Sequence, residues 1–456
     1  MRANATAHSE RLGTEPIKKL LVSMSLPATV AMIVNALYNL VDTIVVGRGV
    51  GALAIGGLAI SFPIQMFIMA IAQMIGIGAA SMISRQLGQG DVEKADQTAG
   101  NAYIAIVVLG VITMVVGLNY LEPLLRIFGA TDTLLPYAME YMEVILIGSV
   151  FYMFAVASNS LIRAEGNAIV AMVTMFIGTG LNIILDPIFV FVFDMGIKGA
   201  AWATIISQFM SFAFVMIYIY SGRSSLKVMP HHLIPHRELM REMFAVGAPA
   251  FARQVGGSAL AIIVNNSLGY YGGDIAITAF GVVNRVMMFI FMPLFGVVQG
   301  FQPIAGYNYG AKLFDRVKEV IKLSMQYTTV YMVGGWLLIL LGADFVIRVF
   351  TTDPDVIALG AQAMRIVLFA VPVIGVQIIG SSVFQAFGKA MPAMVLTLLR
   401  QFIILIPLLL ILPRIGDLGL LGIWLAYPIS DVASTFVSVF MLRKEMHLLE
   451  PDKAQA

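Results

Sequence analysis

Cysteine is absent from the 456-residue chain, which excludes disulfide bonds, thiolate nucleophiles, iron–sulfur clusters and cysteine-ligated zinc. Charged residues are scarce, at 12%, about half of the roughly 25% found in soluble domains. Hydrophobic residues make up 59% of the chain, and the mean hydropathy is +0.90. Such a chain cannot be covered by a polar surface, so soluble globular, disordered and fibrous classes are excluded. The net charge of +2 gives no indication of nucleic-acid binding.

Histidine is also rare, and its positions are uninformative about catalysis. The five histidines lie in the polar termini or in one polar connection, and they are His8, His231, His232, His236 and His447. The sequence therefore predicts no His/carboxylate metal cluster and no histidine relay within the membrane. The glycine-rich segments 49–57 and 76–81 lack a Walker lysine, which excludes an ATPase and favours close helix packing by small residues. No cofactor and no enzymatic activity are expected, and the polar first sixteen residues predict no signal peptide.

Long apolar runs dominate what is present. A helix needs about 20 apolar residues to cross a bilayer, and runs of this length indicate helices rather than strands. Twelve runs meet that length, at 20–47, 52–84, 97–118, 135–162, 168–193, 199–221, 243–270, 275–307, 319–342, 356–387, 391–413 and 420–442. The predicted fold is therefore an all-α integral membrane protein with twelve transmembrane helices.

The two halves of the chain repeat each other at an offset of 222 residues without gaps. Glycine, proline, arginine and tryptophan identities carry this repeat, because apolar identities arise often by chance in such a chain. The matched pairs include Pro27 with Pro249, Gly51 with Gly273, Gly78 with Gly300, Gly88 with Gly310, Arg126 with Arg348, Gly166 with Gly388 and Trp202 with Trp424. Six spans per half predict two six-helix lobes in parallel orientation, related by a pseudo-two-fold axis along the membrane normal.

These features predict the domain organisation and the orientation. The predicted units are an N-terminal tail (1–16), an N-lobe (17–222), a linker (223–239), a C-lobe (240–443) and a C-terminal tail (444–456). Nineteen Lys and Arg residues fall on the side of the termini and five on the other side. The positive-inside rule then predicts that both termini and the linker are cytoplasmic in a multi-pass cell-membrane protein.

Two aspartates interrupt the apolar spans of the first half. An α-helix rises 1.5 Å per residue, which places Asp42 roughly 9 Å and Asp186 roughly 12 Å below the outer ends of their spans. Thr204 comes out at a similar depth, about 9 Å, on the next span, and Asn182 shares a helix face with Asp186. Ionisable groups at such depth are costly, so we interpret these four residues as a candidate cation or proton site.

The chemistry of this site stays open between two ions. Carboxylate, amide and hydroxyl oxygens suit Na⁺ and equally suit protons on the carboxyl groups. An alternative is that each aspartate is satisfied by neighbouring amides and only holds helices together. Weaker candidates for a substrate cavity or a supporting network are Asn35, Tyr38 and Asn39, which lie one or two turns before Asp42 on the same span.

The second half differs from the first at the equivalent positions. At the 222-residue offset, Val264 stands for Asp42 and Leu408 for Asp186, so the predicted ion site belongs to one lobe. Arg400 and Asp431 reach similar depth in neighbouring spans, so a buried pair is one hypothesis. The alternative is that the arginine snorkels to the membrane surface or hydrogen-bonds backbone carbonyls. The other arginines within predicted spans are Arg253, Arg285 and Arg365. Pro27, on the route from the terminus to Asp42, is a weak hinge candidate because proline breaks a helical hydrogen bond.

Several segments of this sequence resemble the multidrug and toxic compound extrusion (MATE) family. They are SLPATVAMIVNALYNLVDTIVVG (25–47), LIRAEGN (161–167), GTGLNIILDPIFVF (178–191) and QPIAGYNYGA (302–311), and the resemblance covers residues 15–445. The resemblance implies a bilobed secondary antiporter that expels cationic, amphipathic drugs in exchange for Na⁺ or H⁺. It places the family's first-lobe cation site on Asp42, Asn182, Asp186 and Thr204. The resemblance also adds Tyr141 and Asn159 as weaker candidates for the surrounding network. The predicted spans 243–270 and 356–387 contain no acidic residue, so the resemblance favours a coupling site in the first lobe.

Two other functions compete with this interpretation. A flippase for an anionic lipid-linked substrate would use the arginines of the second half. An intramembrane aspartyl protease would use Asp42 and Asp186, but a GxGD signature is missing, with Tyr271-Gly-Gly-Asp274 the nearest segment. The expected partners are small cationic or amphipathic molecules and the lipid bilayer, with no nucleic acid, and the protein is expected to be a monomer.

Overall fold

The computed structural model describes residues 2–449, and regular structure within this range is entirely helical. The N-terminal half comprises α1 (Arg2–Thr14), α2 (Ile17–Gly49), α3 (Ala52–Gly88), α4 (Val92–Asn119), α5 (Leu121–Ile127), α6 (Leu135–Ala164), α7 (Ala168–Pro187) with a π-helical extension (Ile188–Val192), and α8 (Gly196–Tyr220). A 3₁₀ turn (Pro230–Leu233) precedes the second half. That half comprises α9 (Arg237–Gly310), α10 (Phe314–Arg348), α11 (Pro354–Val367), α12 (Val371–Ala386), α13 (Ala390–Leu398), a π-helix (Leu399–Leu405), α14 (Ile406–Ile411), a 3₁₀ turn (Leu412–Arg414) and α15 (Gly419–Leu448).

Among the described residues, the structure has ten helices that are long and apolar enough to span a membrane, and it reaches the predicted twelve spans in two ways. Helix α9 has 74 residues, about 111 Å if straight, which exceeds three bilayer cores. Its backbone leaves the helical conformation at Gly273 (φ 62°, ψ −162°), so α9 consists of two spans joined by a tight reversal. Helices α11 and α12 together form one further span, bent by 51°. The described residues therefore contain twelve crossings, as the sequence predicts.

The 222-residue repeat extends to the backbone conformation. Gly51 and Gly273, which are equivalent in the repeat, both precede the second span of their half with positive φ, at 117° and 62°. Gly166 and Gly388, which end the fourth span of each half, also have positive φ, at 91° and 77°. Only glycine adopts this conformation without strain, so these identities mark turns that both lobes need.

Other repeated glycines lie where the two lobes touch. A Cβ atom on Gly88 would lie 2.0 Å from the Tyr307 carbonyl oxygen, and one on Gly310 would lie 2.1 Å from the Arg85 carbonyl oxygen. Arg85 and Tyr307 are themselves 222 residues apart, so the two contacts are equivalent under the repeat. The lobes thus pack backbone against backbone about the pseudo-two-fold axis, and any larger side chain would separate them.

These interlobe contacts lie in the half of the bundle next to the face where α2 begins and α15 ends, here called the terminal face. Arg85 of the N-lobe pairs with Glu242 of the C-lobe at 2.8 Å. The Ser81 hydroxyl donates to the Gln385 carbonyl oxygen at 2.6 Å. The terminal face is therefore closed by polar contacts as well as by the glycine packing.

The predicted N-terminal tail includes a helix that lies against this closed face. The Asn308 side-chain amide of the C-lobe donates to the Leu12 carbonyl oxygen in α1 at 2.8 Å. On the N-lobe side, a Cβ atom on Gly166 would lie 2.5 Å from the His8 carbonyl oxygen. Helix α1 therefore contacts both lobes. At the other end, α15 extends to Leu448, and residues 450–456 of the predicted C-terminal tail lie outside the described residues.

The connection between the lobes is bound to the N-lobe over most of its length. It runs from Ser221 to His236, since α9 already begins at Arg237. The Lys227 backbone N–H donates to Asp96 Oδ1 at 2.7 Å. The backbone N–H of His236 donates to Asn101 Oδ1, also at 2.7 Å. The linker therefore stays in contact with the N-lobe up to its last residue, and the C-lobe begins at the next residue, the first of α9.

A buried glutamate anchors the start of this linker. Glu165, 1% exposed, lies in the turn between α6 and α7. Its Oε1 accepts a hydrogen bond from the Tyr218 hydroxyl at 2.5 Å, and its Oε2 accepts from the Ser224 hydroxyl and the Ser225 backbone N–H, both at 2.7 Å. These donors satisfy a carboxyl group that would otherwise be costly to bury.

Candidate functional site

Four predicted side chains from three helices meet inside the N-lobe. Asp42 lies on α2, Asn182 and Asp186 on α7, and Thr204 on α8. Their exposed fractions are 9% for Asp42, 2% for Asn182 and 0% for Asp186, and Thr204 is half-buried. The i,i+4 spacing along α7 turns Asn182 and Asp186 to the same face, as expected. The cluster is thus withdrawn from bulk water.

The hydrogen bonds of Asn182 orient the cluster. Its Nδ2 donates to Thr204 Oγ1 at 3.0 Å, and the Thr204 hydroxyl in turn donates to the Ala200 carbonyl oxygen at 3.0 Å. With Nδ2 engaged, Oδ1 of Asn182 is left as an acceptor. The carboxyl groups of Asp42 and Asp186 approach within hydrogen-bonding reach of each other, so a single proton can be shared between them.

Four oxygen atoms of this cluster have no donor among the described residues. They are Oδ1 of Asp42, Oδ1 of Asn182, and both Oδ1 and Oδ2 of Asp186. Buried polar atoms in proteins are nearly always satisfied, and two adjacent carboxylates repel each other. Uncompensated oxygens of this kind fit either protons on the carboxyl groups or a small hard cation such as Na⁺.

The helix that carries Asp186 is irregular just beyond it. Pro187 ends the α-helical part of α7, and the chain continues as a π-helix over Ile188–Val192. Proline removes a backbone donor, and π-helical turns are frequent at functional sites. The apolar sequence Ile-Phe-Val-Phe-Val contains no signal for this irregularity.

The surroundings of the cluster include two of the weaker candidates. The Tyr38 hydroxyl lies beside the Thr204 hydroxyl. Tyr141, 3% exposed, lies near Asp42 and hydrogen-bonds Gln65 of α3. Gln65 was missed by the sequence analysis, although an amide within the apolar span 52–84 was a signal that could have identified it.

The remaining candidates lie elsewhere. The exposed Asn39 donates its amide to the carbonyl oxygen of Asn35 at 2.8 Å, so it bonds to the backbone of its own helix rather than to the carboxyl pair. Asn159 donates to the Ala171 carbonyl oxygen and thereby joins α6 to α7. The structure therefore does not bring Asn39 or Asn159 to the carboxyl cluster.

The hypothesised pair in the C-lobe is formed. Arg400 Nε donates to Asp431 Oδ1 at 2.6 Å, with the aspartate side chain 4% exposed. Ser430 also donates to the Arg400 carbonyl oxygen, at 2.8 Å, within the π-helix Leu399–Leu405. The charge of Arg400 is therefore neutralised within the lobe.

The other arginines within spans of the second half differ in their partners. Arg365 forms an ion pair with Asp344, next to the break of α10 at Gly342. Arg253 lies over the ring of Phe295, 5.8 Å from its centroid, in a cation–π contact. Arg285 is exposed.

One sequence prediction is wrong. Glu93, His231 and His232 come together on the terminal face, with their ligand atoms all within 4.8 Å of one another, although no His/carboxylate cluster was expected. The sequence gives no hint of this proximity because 137 intervening residues separate the glutamate from the first histidine.

Comparisons with known proteins agree with this architecture. The MatE family model matches residues 27–188 and 249–411, so its second copy begins 222 residues after the first. The multidrug export protein MepA of Staphylococcus haemolyticus (strain JCSC1435) is 26% identical over 438 residues, which cover 96% of each chain.

Solved structures match over the same length. A multidrug resistance MATE family transporter of the MOP superfamily, in an outward-facing conformation, is 27% identical with a TM-score of 0.91 and covers 96% of this chain and 98% of its own. A structure that carries the name protein A is 43% identical with a TM-score of 0.90 and the same coverage. The family model matches both lobes, and the twelve helical crossings agree with it. This chain is therefore a member of the MATE family, whose proteins are membrane transporters and not enzymes.

Proposed function

We propose that this protein is a secondary antiporter that exports cationic, amphipathic organic compounds in exchange for H⁺ or Na⁺. The coupling ion would bind at Asp42, Asn182, Asp186 and Thr204. The names of the relatives, multidrug export and multidrug resistance proteins, support drug-like substrates. The bias of Lys and Arg toward the terminal face supports cytoplasmic termini in the cell membrane.

The observation that carries this proposal is the set of four buried oxygens without a donor. Both oxygens of Asp186 belong to it, together with one each from Asp42 and Asn182. A helix-packing role would predict aspartates satisfied by neighbouring amides, whereas the only amide in the cluster donates away from them, to Thr204. An exchangeable ion accounts for this arrangement.

Coupling further requires that the ion binds unequally to the two states of the transporter. Closure of the terminal face by Arg85–Glu242 and by the glycine contacts corresponds to an outward-facing state if that face is cytoplasmic. In this state the carboxyl pair would take up H⁺ or Na⁺ from outside, and ion binding would promote release of the drug and return of the lobes.

The flippase alternative is supported less well than the antiporter. Two of the four arginines on which it depends are ion-paired, Arg400 with Asp431 and Arg365 with Asp344. Arg253 and Arg285 have no ion pair among the described residues, so they are the arginines that a flippase would have to use. Because both lobes and the whole ion site belong to one chain, we propose that the monomer is the transporting unit.

Dye transport tests the proposal directly. Ethidium would be added outside everted membrane vesicles, and its accumulation in the lumen followed with Na⁺ or H⁺ concentrated inside, choline replacing Na⁺ at fixed pH to separate the two ions. We expect gradient-driven transport that is lost in Asp42→Asn and in Asp186→Asn. Asp274→Asn, at an exposed aspartate of the α9 reversal, is the matched control. Driven transport that persists in both site variants would refute the proposed mechanism.

A further inference from the structure

The cluster of Glu93, His231 and His232 lies where the interlobe linker meets the start of α4. The linker is firmly placed there, because Asn101 Nδ2 donates to the carbonyl oxygens of His232 and Ile234, both at 3.2 Å. A Cβ atom on Gly100 would lie 2.4 Å from the His232 carbonyl oxygen, so linker and helix are in backbone contact. The backbone of His232 is therefore fixed relative to Glu93.

The three side chains present suitable atoms at suitable distances. His232 Nε2 lies 2.9 Å and His231 Nε2 lies 3.6 Å from the same oxygen, Oε1 of Glu93. Zinc–ligand bonds of 2.0–2.2 Å in tetrahedral geometry require ligand atoms roughly 3.4 Å apart. The side chains of His231 and Glu93 are 58% and 64% exposed, so each can adjust by the small distance that remains.

The ring of His232 is buried and hydrogen-bonded through Nδ1, as is usual for histidines that bind a metal ion through Nε2. Its side chain is only 2% exposed, and its Nδ1 lies 2.9 Å from the Lys227 carbonyl oxygen and 3.1 Å from the Met229 backbone N–H. When Nδ1 accepts from Met229, Nε2 carries the proton and donates to Glu93. When Nδ1 donates to Lys227, Nε2 is unprotonated and free to bind a metal ion, which is the arrangement that ligating histidines adopt.

The donor set determines the class of ion. Two imidazole nitrogens and one carboxylate oxygen suit Zn²⁺ and related divalent transition metals better than Ca²⁺ or Mg²⁺, which prefer oxygen ligands. Three protein ligands leave a fourth position for water. Glu93 also lines an open cleft between α4 and the start of α9, which gives an ion in solution a route to the cluster.

We propose that Glu93, His231 and His232 form a binding site for a divalent transition-metal ion, with Zn²⁺ as its representative, that fastens the interlobe linker to α4. The site is separate from the carboxyl cluster of the transport proposal, since it lies at the terminal face, whereas Asp42 lies near the opposite end of α2. Because linker and α4 both belong to the N-lobe side, the bound ion would stabilise this side of the molecule without taking part in transport chemistry.

Direct metal binding tests the site. The full-length protein in detergent, with any affinity tag removed, would be titrated with Zn²⁺ by calorimetry and with Co²⁺ by visible absorption, which reports tetrahedral coordination. We expect one ion per chain, a rise in melting temperature with Zn²⁺, and binding weakened about tenfold or more in His231→Gln and in Glu93→Gln.

The two exposed ligands are chosen because their substitution does not disturb the buried His232. His447→Gln, in α15 of the C-lobe, removes a histidine remote from the linker and is expected to leave the affinity and the stoichiometry unchanged. Absence of stoichiometric binding to the wild type, or equal affinity in His231→Gln, would overturn the site. The dye-transport assay does not enter this test, so the two proposals fail independently.

Discussion

At the scale of single residues, the buried carboxyl pair is the basis of the proposed ion exchange. An ionised group at membrane depth costs at least ~2.5–3.5 kcal/mol, and Asp186 has no donor to offset this cost. Two adjacent carboxylates add mutual repulsion, so we expect the pair to take up a proton or a cation whenever one is accessible. Asp42 and Asp186 thereby become sensitive to the state of the lobes that controls access.

The Thr204 hydroxyl provides a mild test of this cluster. Thr204→Val keeps the side-chain volume but removes the acceptor for Asn182 Nδ2, whose loss costs about 1–3 kcal/mol in a buried site. We expect the concentration of coupling ion that gives half-maximal transport to rise roughly tenfold, since 1.4 kcal/mol is a factor of ten. Thr43→Val, at an exposed hydroxyl of α2, should leave this concentration unchanged. Equal values in Thr204→Val and wild type would remove the threonine from the ion site.

Glu165 predicts a pH dependence of stability that is unrelated to transport. Burial raises the pKa of its carboxyl from 4.5 to about 7, against the opposing effect of its hydrogen-bond donors. Between these two pKa values the folded protein binds more protons than the unfolded chain, so stability falls as the pH rises from about 4.5 to about 7. The contribution is fully present below the lower value and is lost above the upper one.

The melting temperature of the detergent-solubilised protein, followed from pH 5 to pH 8, measures this effect. We expect a decline of a few degrees in the wild type that is reduced in Glu165→Gln, which keeps the shape of the side chain without its charge. Glu238→Gln, at an exposed glutamate, should retain the wild-type profile. A profile of Glu165→Gln that parallels the wild type would contradict the assignment.

Some of these functional candidates could be predicted from the sequence and others could not, for a physical reason. Asp42 and Asp186 stand out because charge is rare within apolar spans. Glu93 and Glu165 belong to polar segments where charge is ordinary, so only the fold reveals that one faces two histidines and the other is buried.

At the scale of helices, glycines that occur at equivalent positions of the repeat lie at contacts between the lobes. Gly88 and Gly310 were visible as identities at the 222-residue offset, and the structure gives each the same close backbone contact. The positions of the spans were accessible from the length of the apolar runs, and the repeat from glycine, proline, arginine and tryptophan identities at one offset. The π-helices at Ile188–Val192 and Leu399–Leu405 were not, because their residues suit an α-helix equally well.

Enlarging one of these glycines should hold the terminal face open. In Gly310→Val the new side chain meets the Arg85 carbonyl oxygen, so we expect transport to be lost while ion binding in the N-lobe is kept. Because the chain has no cysteine, Ser84→Cys supplies a single reporter at a position that is 1% exposed. A polar maleimide should label it slowly alone and several-fold faster together with Gly310→Val.

Gly334→Val is the control for this experiment, because a Cβ atom there would meet no other atom within 4 Å. It should leave both transport and labelling unchanged. Slow labelling that persists together with Gly310→Val would show that the glycine contact does not close this face.

Pro27 tests whether α2 bends during transport. It lies within the continuous helix Ile17–Gly49, between the terminal face and Asp42. Pro27→Ala restores the missing backbone donor and favours a straight helix. If bending accompanies ion binding, we expect transport to slow several-fold with ion affinity kept. Pro63→Ala, in the neighbouring helix α3, is the matched control, and equal rates in both variants and wild type would exclude a hinge at Pro27.

At the scale of the whole molecule, the closed terminal face is one of two arrangements that a transporter must adopt. The repeat predicted two lobes about an axis along the membrane normal, and the paired contacts of Gly88 and Gly310 agree with it. Which arrangement the lobes take could not be predicted, because one sequence must stabilise both within a few kcal/mol.

The exchange of drug for ion in the isolated protein tests the central claim most directly. Tetraphenylphosphonium would be added to the detergent-solubilised protein in weakly buffered solution, and its affinity and any released protons measured with and without Na⁺. We predict that binding releases protons or is weakened by Na⁺ in the wild type, and that both effects disappear in Asp42→Asn/Asp186→Asn. Binding that is independent of pH and Na⁺ in the wild type, or equally linked to them in the variant, would contradict the account.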